Sequence, residues 1–266
     1  MKVNRLAVYR HKNKNDGELI ENITERVISI FINSKEIYGS RNIRKVLLNE
    51  GIRVSIQKIR KIMKKNGLFS SYTIAQYKPK LKHNKVNREQ IDNKLNRQFD
   101  CRNKYEVIVS DLTYVRVKCK WNYICLLTDL FNREIVGFSI SQKKDANLVL
   151  QAFYNSNIPL NRIKLFHTDR GTEFKNTKIE ELLRAFNIER SLSNPGNPYD
   201  NAVAERLYST LKIEFIRKRN FNSLEQLIDE LKVYINWYNN DRQHSKLNYM
   251  SPVQYGNVNY ESVSKT

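Results

Sequence analysis

The sequence predicts a small all-helical region at the front of the chain and an α/β domain behind it. Apolar residues recur at helical spacing up to about residue 67, whereas three runs rich in β-branched and aromatic residues follow from residue 105. After those runs, segments with helical and strand periodicity alternate. Strands followed by alternating helix and strand are typical of an α/β domain, here with a mixed sheet of five strands.

Three helices are expected in the front region. Helical spacing covers residues 20–33, and a second helix is expected over Ser40–Asn49. After Gly51 breaks the pattern, Ser55 can cap a third helix that ends at Gly67. Two short helices joined by a tight turn form a helix-turn-helix, a motif that places its second helix in a DNA groove.

The third helix has an apolar face and a basic face. Ile59, Ile62 and Met63 are expected to point inward. The side chains expected outside, which are candidate DNA contacts, are Lys58, Arg60, Lys61, Lys64 and Lys65. The alternative is an ordinary solvated face on a helical hairpin, because helix-turn-helix patterns are common.

Four segments are predicted along the chain. A helical region, residues 1–70, is followed by residues 71–104, which are polar, basic and without periodicity and therefore read as a linker. Residues 105–256 form the α/β domain with its C-terminal helix, and residues 257–266 form a tail.

Within the α/β domain, local signals predict each element. The first three strands are expected to form an antiparallel meander, followed by two further strands, IKLFHT and ERSLS. Asp145 can cap one helix, and Ser223 with Gln226 forms a capping box for a long amphipathic helix. The residues expected on the apolar face of that helix are Leu224, Leu227, Ile228, Leu231, Ile235 and Tyr238.

The charge of the chain points to a polyanion as partner. Lys and Arg number 47 against 27 Asp and Glu, a net charge of +20, and neutralising phosphates releases condensed counterions. Residues 1–100 hold 23 basic and 9 acidic side chains, so the excess is concentrated at the front. The alternative is a merely soluble basic surface, but no acidic segment offsets the excess.

Several classes of protein are disfavoured. The N-terminus lacks the apolar core of a signal peptide, and no run of about 18 uncharged apolar residues occurs, so a cytosolic, nucleoid-associated protein without a membrane partner is expected. Cys101, Cys119 and Cys125 lack zinc-site spacing and are expected to be buried or half-buried thiols. For His167, packing at a strand end is favoured over metal ligation.

Three carboxylates carry the main functional signal. Asp111 interrupts an apolar strand, Asp169 ends a short strand just before Arg170 and Gly171, and Glu205 lies on a helix 36 positions further on. Lys212 follows Glu205 by two helical turns and therefore shares its face. Acids so placed can hold two Mg²⁺ or Mn²⁺ ions, which bind the attacking and leaving oxygens of a phosphodiester.

Surface charge is the alternative for each acid taken singly. Asp169 can belong to an ordinary turn, and Glu205 with Lys212 can belong to a solvated helix face. Asp111 is harder to explain in that way, because a lone buried charge costs several kcal/mol unless it is paired, hydrogen-bonded or metal-bound. Jointly the three acids favour metal-dependent cutting and joining of DNA strands.

Long motifs in fixed order resemble those of the insertion-sequence transposases whose catalytic protein is the second of two overlapping reading frames, with a retroviral-integrase-like core. The motifs cover nearly the whole chain and lie at residues 38–68, 93–99, 110–115, 167–174, 191–214 and 234–256. The resemblance implies an RNase H-like fold for residues 105–256. It also implies that Asp111, Asp169 and Glu205 form the acidic triad and that Lys212 contacts the element's terminal DNA.

The sequence departs from the pattern of that family around its acids. Ser110 precedes the first acid where Thr is common, Glu173 stands where Gln is common, and Arg206 stands where Ser is common. No carboxylate is lost, but Glu173 and Arg206 add charge beside the expected metal site.

The resemblance also implies partners. These are the ends of the insertion sequence, target DNA, further copies of the chain on DNA, and the upstream-frame protein. In the family that protein supplies another helix-turn-helix and a coiled coil, and no sustained heptads occur here.

Two other functions stay open on the sequence alone. One is a nuclease of the same fold that cuts without joining, and the other is a non-catalytic DNA-binding regulator of transposition. A regulator would be marked by a missing carboxylate, and none is missing.

Overall fold

The structure of the chain, a computed structural model, describes residues 21–72, 92–98, 103–194 and 198–263. It forms two compact units, divided between residues 78 and 79. Most of the predicted linker, residues 73–91, lies outside the described residues, as does Cys101. No described helix has the length and apolar character needed to cross a bilayer.

The first unit is helical, as predicted. Its helices are α1 (residues 21–33), α2 (Ser40–Asn49) and α3 (Ile56–Lys65). Each helix buries one apolar stripe against the other two, and Val27, Ile43, Leu47 and Ile59 are completely buried. Arg26 Nε on α1 donates to Glu50 Oε2 just after α2, at 2.8 Å.

Local signals set both ends of α3. The Ser55 hydroxyl accepts from the Lys58 backbone N–H at 3.2 Å, which confirms the predicted N-cap. At the other end, Gly67 adopts a left-handed φ of +64°, and Leu68 N–H donates to Met63 C=O at 2.9 Å. A side chain at this φ would be strained, so glycine ends the helix here.

The second unit is built on a mixed five-stranded sheet, as predicted. Its strands are β1 (Val107–Val117), β2 (Lys120–Asp129), β3 (Ile135–Ser141), β4 (Leu165–Thr168) and β5 (Glu189–Leu192). The order across the sheet is β3-β2-β1-β4-β5. The first three strands form the expected antiparallel meander, and β4 and β5 run parallel to β1.

Helices cover both faces of this sheet. They are α4 (Ala146–Tyr154), α5 (Thr177–Ala185), α6 (Ala202–Glu214), α7 (Leu224–Asn240) and α8 (Pro252–Val263). On one face α4 and α5 bury Ile108, Leu127 and Phe166, and on the other face Ala204 of α6 packs with Val109. The pleat of β1 therefore sends alternate side chains into two separate cores.

Residues 92–98 do not behave as the predicted linker. Leu95 is completely buried against the α6 side of the sheet, and its N–H donates to Ser191 Oγ on β5 at 3.2 Å. Arg97 Nε donates to the buried Asp200 Oδ1, just before α6, at 2.8 Å. The sequence pattern could not indicate this packing, because the hydrogen bonds join residues about a hundred positions apart.

A buried ion pair fixes α6 against α7 and the loop that follows it. Arg242 Nη2 lies 2.7 Å from Glu214 Oε1 at the end of α6, and Arg242 Nε donates to Glu214 Oε2 at 2.9 Å. Tyr234 of α7 donates its hydroxyl to the same carboxylate at 3.0 Å. The bidentate pair and the third donor satisfy a carboxylate that would otherwise be costly to bury.

The C-terminal helices bring one confirmation and one correction. Ser223 Oγ accepts from Gln226 N–H at 3.0 Å, while Gln226 Oε1 accepts from Asn222 N–H, one residue earlier than a standard capping box. The predicted tail at residues 257–266 is helical as far as Val263, because α8 continues across residue 256.

Cys119 is exposed in the β1–β2 turn, contrary to expectation, whereas Cys125 is buried as expected.

Candidate active site and nucleic-acid interface

Asp111 lies in the middle of β1, opposite Leu126 of β2. Its neighbours at period two, Val109 and Thr113, are buried, and Asp111 itself is half-buried. The carboxylate accepts from the Leu112 backbone N–H at 2.7 Å. A charge is thus held inside an otherwise apolar strand, as the sequence pattern indicated.

Asp169 follows the last residue of β4, at the carboxyl end of a parallel strand. Its Oδ1 accepts from Gly171 N–H at 2.9 Å, which folds residues 169–171 into a tight turn. Arg170 Nε donates to Ser193 C=O, just after β5, at 2.9 Å. The turn is therefore tied to the neighbouring strand, and the carboxylate is kept at the strand end where α/β proteins bind ligands.

Glu205 and Lys212 both lie on α6. Glu205 is exposed in the first turn of the helix, and Lys212 is half-buried in the last turn. The ion pair between Arg97 and Asp200 holds the segment just before α6, and the pair between Glu214 and Arg242 holds its end. The helix that presents Glu205 is consequently fixed at both ends.

The three acids influence one another's ionisation. Burial, together with the charges of Asp169, Glu205 and Glu173, raises the pKa of Asp111 to about 7. Partial loss of solvent and the charge of Asp169 also raise the pKa of Glu205. Residues from β1, the end of β4 and α6 therefore repel each other's negative charge, and a cation between them would be favourable.

A fourth acid, Glu173, joins this group. It is almost completely buried, its Oε1 lies 3.1 Å from Lys144 Nζ, and its Oε2 has no hydrogen-bond partner. A Cβ at Gly171 would lie 2.4 Å from Glu173 Oε1, so a larger residue there would displace this carboxylate. In the sequence Glu173 stood out only as an added charge.

The donor set suits a hard divalent cation, although the acids do not form a ready-made site. Among the described residues, no three His, Cys, Asp or Glu side chains are arranged to hold an ion. Asp111 and Asp169 each accept a backbone N–H, so binding requires those carboxylates to turn toward one another. Carboxylate oxygens are nevertheless the ligands that Mg²⁺ and Mn²⁺ prefer, and here their charge is uncompensated.

Tyr208 is a site residue that the sequence did not reveal. Its buried hydroxyl accepts from Leu126 N–H at 2.7 Å and donates to the Asp111 C=O. The hydroxyl thus bridges β1 and β2 at the acid and fixes the backbone of Asp111 to α6. Only the position of Tyr208, one helical turn after Glu205, could have suggested such a role.

His167 does not join the acids. It is buried in β4, and its Nδ1 lies 2.8 Å from Ser191 Oγ on β5. Burial lowers its pKa to about 4, so the ring is neutral at pH 7. The side chain packs within the sheet.

The basic face of α3 is the second predicted contact surface. Ile59, Ile62 and Met63 are buried, which confirms the inward face. Arg60, Lys61, Lys64 and Lys65 are exposed, and Lys58 is half-buried. The helix therefore presents a continuous cationic surface suited to phosphate contacts.

Family models match both units of the chain. An HTH-like domain matches residues 19–74, and two models, each described as an integrase core domain, match residues 102–198 and 186–252. The two core matches overlap at residues 186–198, which include β5. Together they span the part of the chain that carries the three acids.

One solved structure supports the fold. The simian T-cell lymphotropic virus intasome, solved with the PP2A regulatory subunit B56 gamma, contains a chain that is similar with a TM-score of 0.50 and 14% identity. The similarity covers 80% of this chain and 70% of that one. Together with the family models, it confirms the RNase H-like class expected for the sheet and its helices.

Curated relatives cover nearly the full length of the chain. The transposase for insertion sequence element IS904 of Lactococcus lactis is 32% identical over 90% of this chain and 95% of its own length. Two Escherichia coli K12 proteins are also similar. The putative transposase InsK of IS150 is 27% identical over 90% of this chain and 84% of its own length, and InsF of IS3A is 28% identical over 88% and 81%. By these similarities the chain belongs to the IS3-type family of insertion-sequence transposases, which confirms the resemblance seen in the motifs.

Proposed function

We propose that the chain cleaves and joins DNA strands in a metal-dependent reaction, with Asp111, Asp169 and Glu205 as its catalytic acids. One observation carries this proposal. Three carboxylates from separate segments meet closely enough to raise the pKa of Asp111, within a chain of the transposase family. Structural ion pairs do not account for the cluster, since no described cation pairs with any of the three acids.

Asp111, Asp169 and Glu205 are the residues that would hold divalent metal, with Mg²⁺ or Mn²⁺ as the expected ion and two ions per site. Bound ions of this kind stabilise the attacking and leaving oxygens of an in-line displacement at phosphorus. Asp111 is the natural shared ligand, because the charges of both other acids act on it. The Tyr208 hydroxyl fixes the backbone of Asp111, so only the Asp111 side chain has to rotate when a metal ion binds.

The chain's own residues position the substrate. Water and then a strand's 3′-hydroxyl act as nucleophiles, so no covalent bond to the protein forms. Lys212, two turns along α6 from Glu205, supplies a positive charge for the terminal DNA strand. The exposed cations of α3, with Lys58, contact phosphates and hold the element's end while the acids act.

The proposal includes an assembly. Further copies of the chain come together on the DNA, because cutting and joining involve two ends and a target. The upstream-frame protein of the same element is a further partner in this proposal. The active form is expected in the cytoplasm, on the nucleoid.

Conservative variants test the catalytic acids. Asp111→Asn, Asp169→Asn and Glu205→Gln each keep the shape of a side chain but remove a metal ligand, so each should abolish cleavage and leave DNA binding within a few-fold. Asp229→Asn, at an exposed site on α7, is the matched control and should cut normally. Cleavage should require Mg²⁺ or Mn²⁺ and fail with Ca²⁺, which binds with longer bonds and looser geometry.

The same assay separates the alternatives. Joined products in a reaction with labelled target DNA are expected from a transposase, and cutting without joining would indicate a nuclease of the same fold. Full cleavage by any one of the three variants would reject the assignment of that acid.

A further inference from the structure

Two large aromatic side chains stand exposed beside each other on the β1–β2 hairpin. Tyr114 is 56% exposed and Trp121 is 53% exposed. Their ring centroids lie 5.2 Å apart with an interplanar angle of 89°, an edge-to-face pair. Single exposed apolar residues are ordinary, but two exposed aromatic rings in contact with each other indicate a contact surface.

A cation lies against each ring. The Arg116 guanidinium carbon is 5.9 Å from the centre of the Trp121 ring, and Lys212 Nζ is 5.2 Å from the centre of the Tyr114 ring. Within the described ranges neither cation makes an ion pair with a carboxylate. The hairpin adds Lys118 and Lys120, and residues 112–128 contain no acidic residue. The surface is thus aromatic and cationic at once.

The position of this surface relates it to the acids. Tyr114 lies three residues along β1 from Asp111, about 10 Å at the rise of a strand and on the other face of the pleat, so Lys212 of α6 is its link to the acids. Lys212 lies seven residues along α6 from Glu205, again about 10 Å at the rise of a helix. Strand and helix meet at the contact between Tyr114 and Lys212. The distance corresponds to about three nucleotides of a stacked strand.

We propose that Tyr114, Trp121, Arg116 and Lys212 form a stacking platform for an unpaired base of the DNA strand that enters the acidic site. This inference rests on the proposed function. Paired bases present only their edges and phosphates, whereas a base freed from its partner exposes a ring face that aromatic side chains can cover. The adjacent cations neutralise the phosphates on either side and interact with the rings themselves.

Such a platform has a mechanistic use. An end that is cut and then joined must be opened locally, so that its reacting phosphate reaches the acids. Holding a base about three nucleotides away keeps that end open without reading its sequence, because every base has a ring face.

Binding of a short oligothymidylate, measured on the full chain without divalent metal, tests the proposal. Loss of stacking on one base weakens binding by roughly 1–3 kcal/mol, so Tyr114→Ala/Trp121→Ala should bind about 5-fold to 150-fold more weakly. Fully paired duplex should bind within about 2-fold of wild type. Tyr154→Ala, which removes an 85% exposed tyrosine on α4, is the control and should change neither.

Two further readouts make the test specific. Tryptophan fluorescence should be quenched by oligothymidylate in the wild type and not in Trp121→Phe, since the other tryptophan, Trp237, is buried. An abasic oligonucleotide of the same length should bind the wild type and the double variant equally. A melting curve checks that the double variant is folded. We expect it to be, because both side chains are about half exposed to solvent.

Three outcomes would overturn the proposal. They are unchanged binding of oligothymidylate by the double variant, equal binding of abasic and normal strands by the wild type, and a loss of oligomer mass in the double variant without any loss of strand binding. The last result would make this surface an interface between proteins. None of these measurements involves cleavage, so they are independent of the outcome for the three acids.

Discussion

Among the three acids, Asp111 is the one whose ionised form is destabilised both by burial and by the charges of the other two acids. Its carboxylate is taken out of water in a strand and faces the charges of other acids, so its pKa rises to about 7. Its partner on the backbone, Leu112 N–H, offsets only part of this effect. Negative charge that is destabilised in this way favours binding of a cation. Without a cation, the ionised carboxylate lowers the free energy of unfolding of the protein.

The pH dependence of stability should reveal this cost. A raised pKa means that, between about pH 4 and pH 7, the folded chain holds a proton that the unfolded chain has lost, so stability falls as the pH rises through that window. Asp111→Asn removes the effect. In chelator at about pH 8 the variant should melt roughly 2–4 °C above wild type, the shift that about 1 kcal/mol gives in a domain of this size.

At about pH 4 the two proteins should melt together, because the carboxyl group is then protonated in the wild type. Asp229→Asn should show no such pH-dependent difference, since its carboxylate is exposed on α7. A constant difference between wild type and Asp111→Asn at both pH values would mean that packing, and not charge, sets the stability at this position.

At the scale of secondary-structure elements, α6 is the part that connects fold and site. It carries Glu205 and Lys212, packs Ala204 into the sheet and ends in the buried Glu214. Arg242 and Tyr234 reach that carboxylate from α7 and the loop after it. Contacts far from the acids therefore hold the helix that carries Glu205.

Removing one partner of the buried pair should be severe. Arg242→Met leaves Glu214 charged, buried and without its cation, which typically costs about 3–5 kcal/mol. Glu214→Gln should also destabilise, and the double variant Glu214→Gln/Arg242→Met should be more stable than Arg242→Met alone. Denaturant titration of the four proteins gives the coupling.

The exposed pair of Lys232 and Asp229 on α7 is the control, because such pairs contribute only about 0–1 kcal/mol. Purely additive effects of the two substitutions at Glu214 and Arg242 would show that the pair does not hold α6 in place.

Elements with local signals were predictable, and those held by distant contacts were not. Ser55 and Asp145 cap their helices as expected, because a cap needs only a hydroxyl or carboxylate three residues from a free N–H. The burial of Leu95 could not be predicted, since it depends on the hydrogen bond to Ser191 and on packing against the α6 side of the sheet. The role of Tyr208 was hidden for the same reason, because its two partners lie on β1 and β2.

At the scale of the whole molecule, the chain forms two compact units. Net positive charge is concentrated in residues 1–100, and the acids lie in the second unit. Spacing and an interrupted strand single out Asp111, Asp169 and Glu205 in the sequence, and their catalytic role stays a prediction. Glu173 was marked only as an unusual charge, since its burial beside Gly171 depends on how the turn folds.

The basic face of α3 should account for a measurable part of DNA affinity. Each phosphate contact contributes about 0.9 to the slope of log affinity against log salt, so Lys58→Gln/Lys61→Gln/Lys65→Gln should lower that slope by at most about three. Lys232→Gln, a lysine paired with Asp229, should leave it unchanged. An unchanged slope in the triple variant would make α3 a packing or protein-contact helix.

Calorimetric titration of the full chain with Mn²⁺ tests the central claim, that Asp111, Asp169 and Glu205 together form one metal site. The wild type should show saturable binding, and each of Asp111→Asn, Asp169→Asn and Glu205→Gln should weaken it by at least about 10-fold, because altering even the surroundings of a ligand costs that much. Asp229→Asn should bind like wild type. If all three acid variants bind Mn²⁺ as the wild type does, Asp111, Asp169 and Glu205 do not form the metal site.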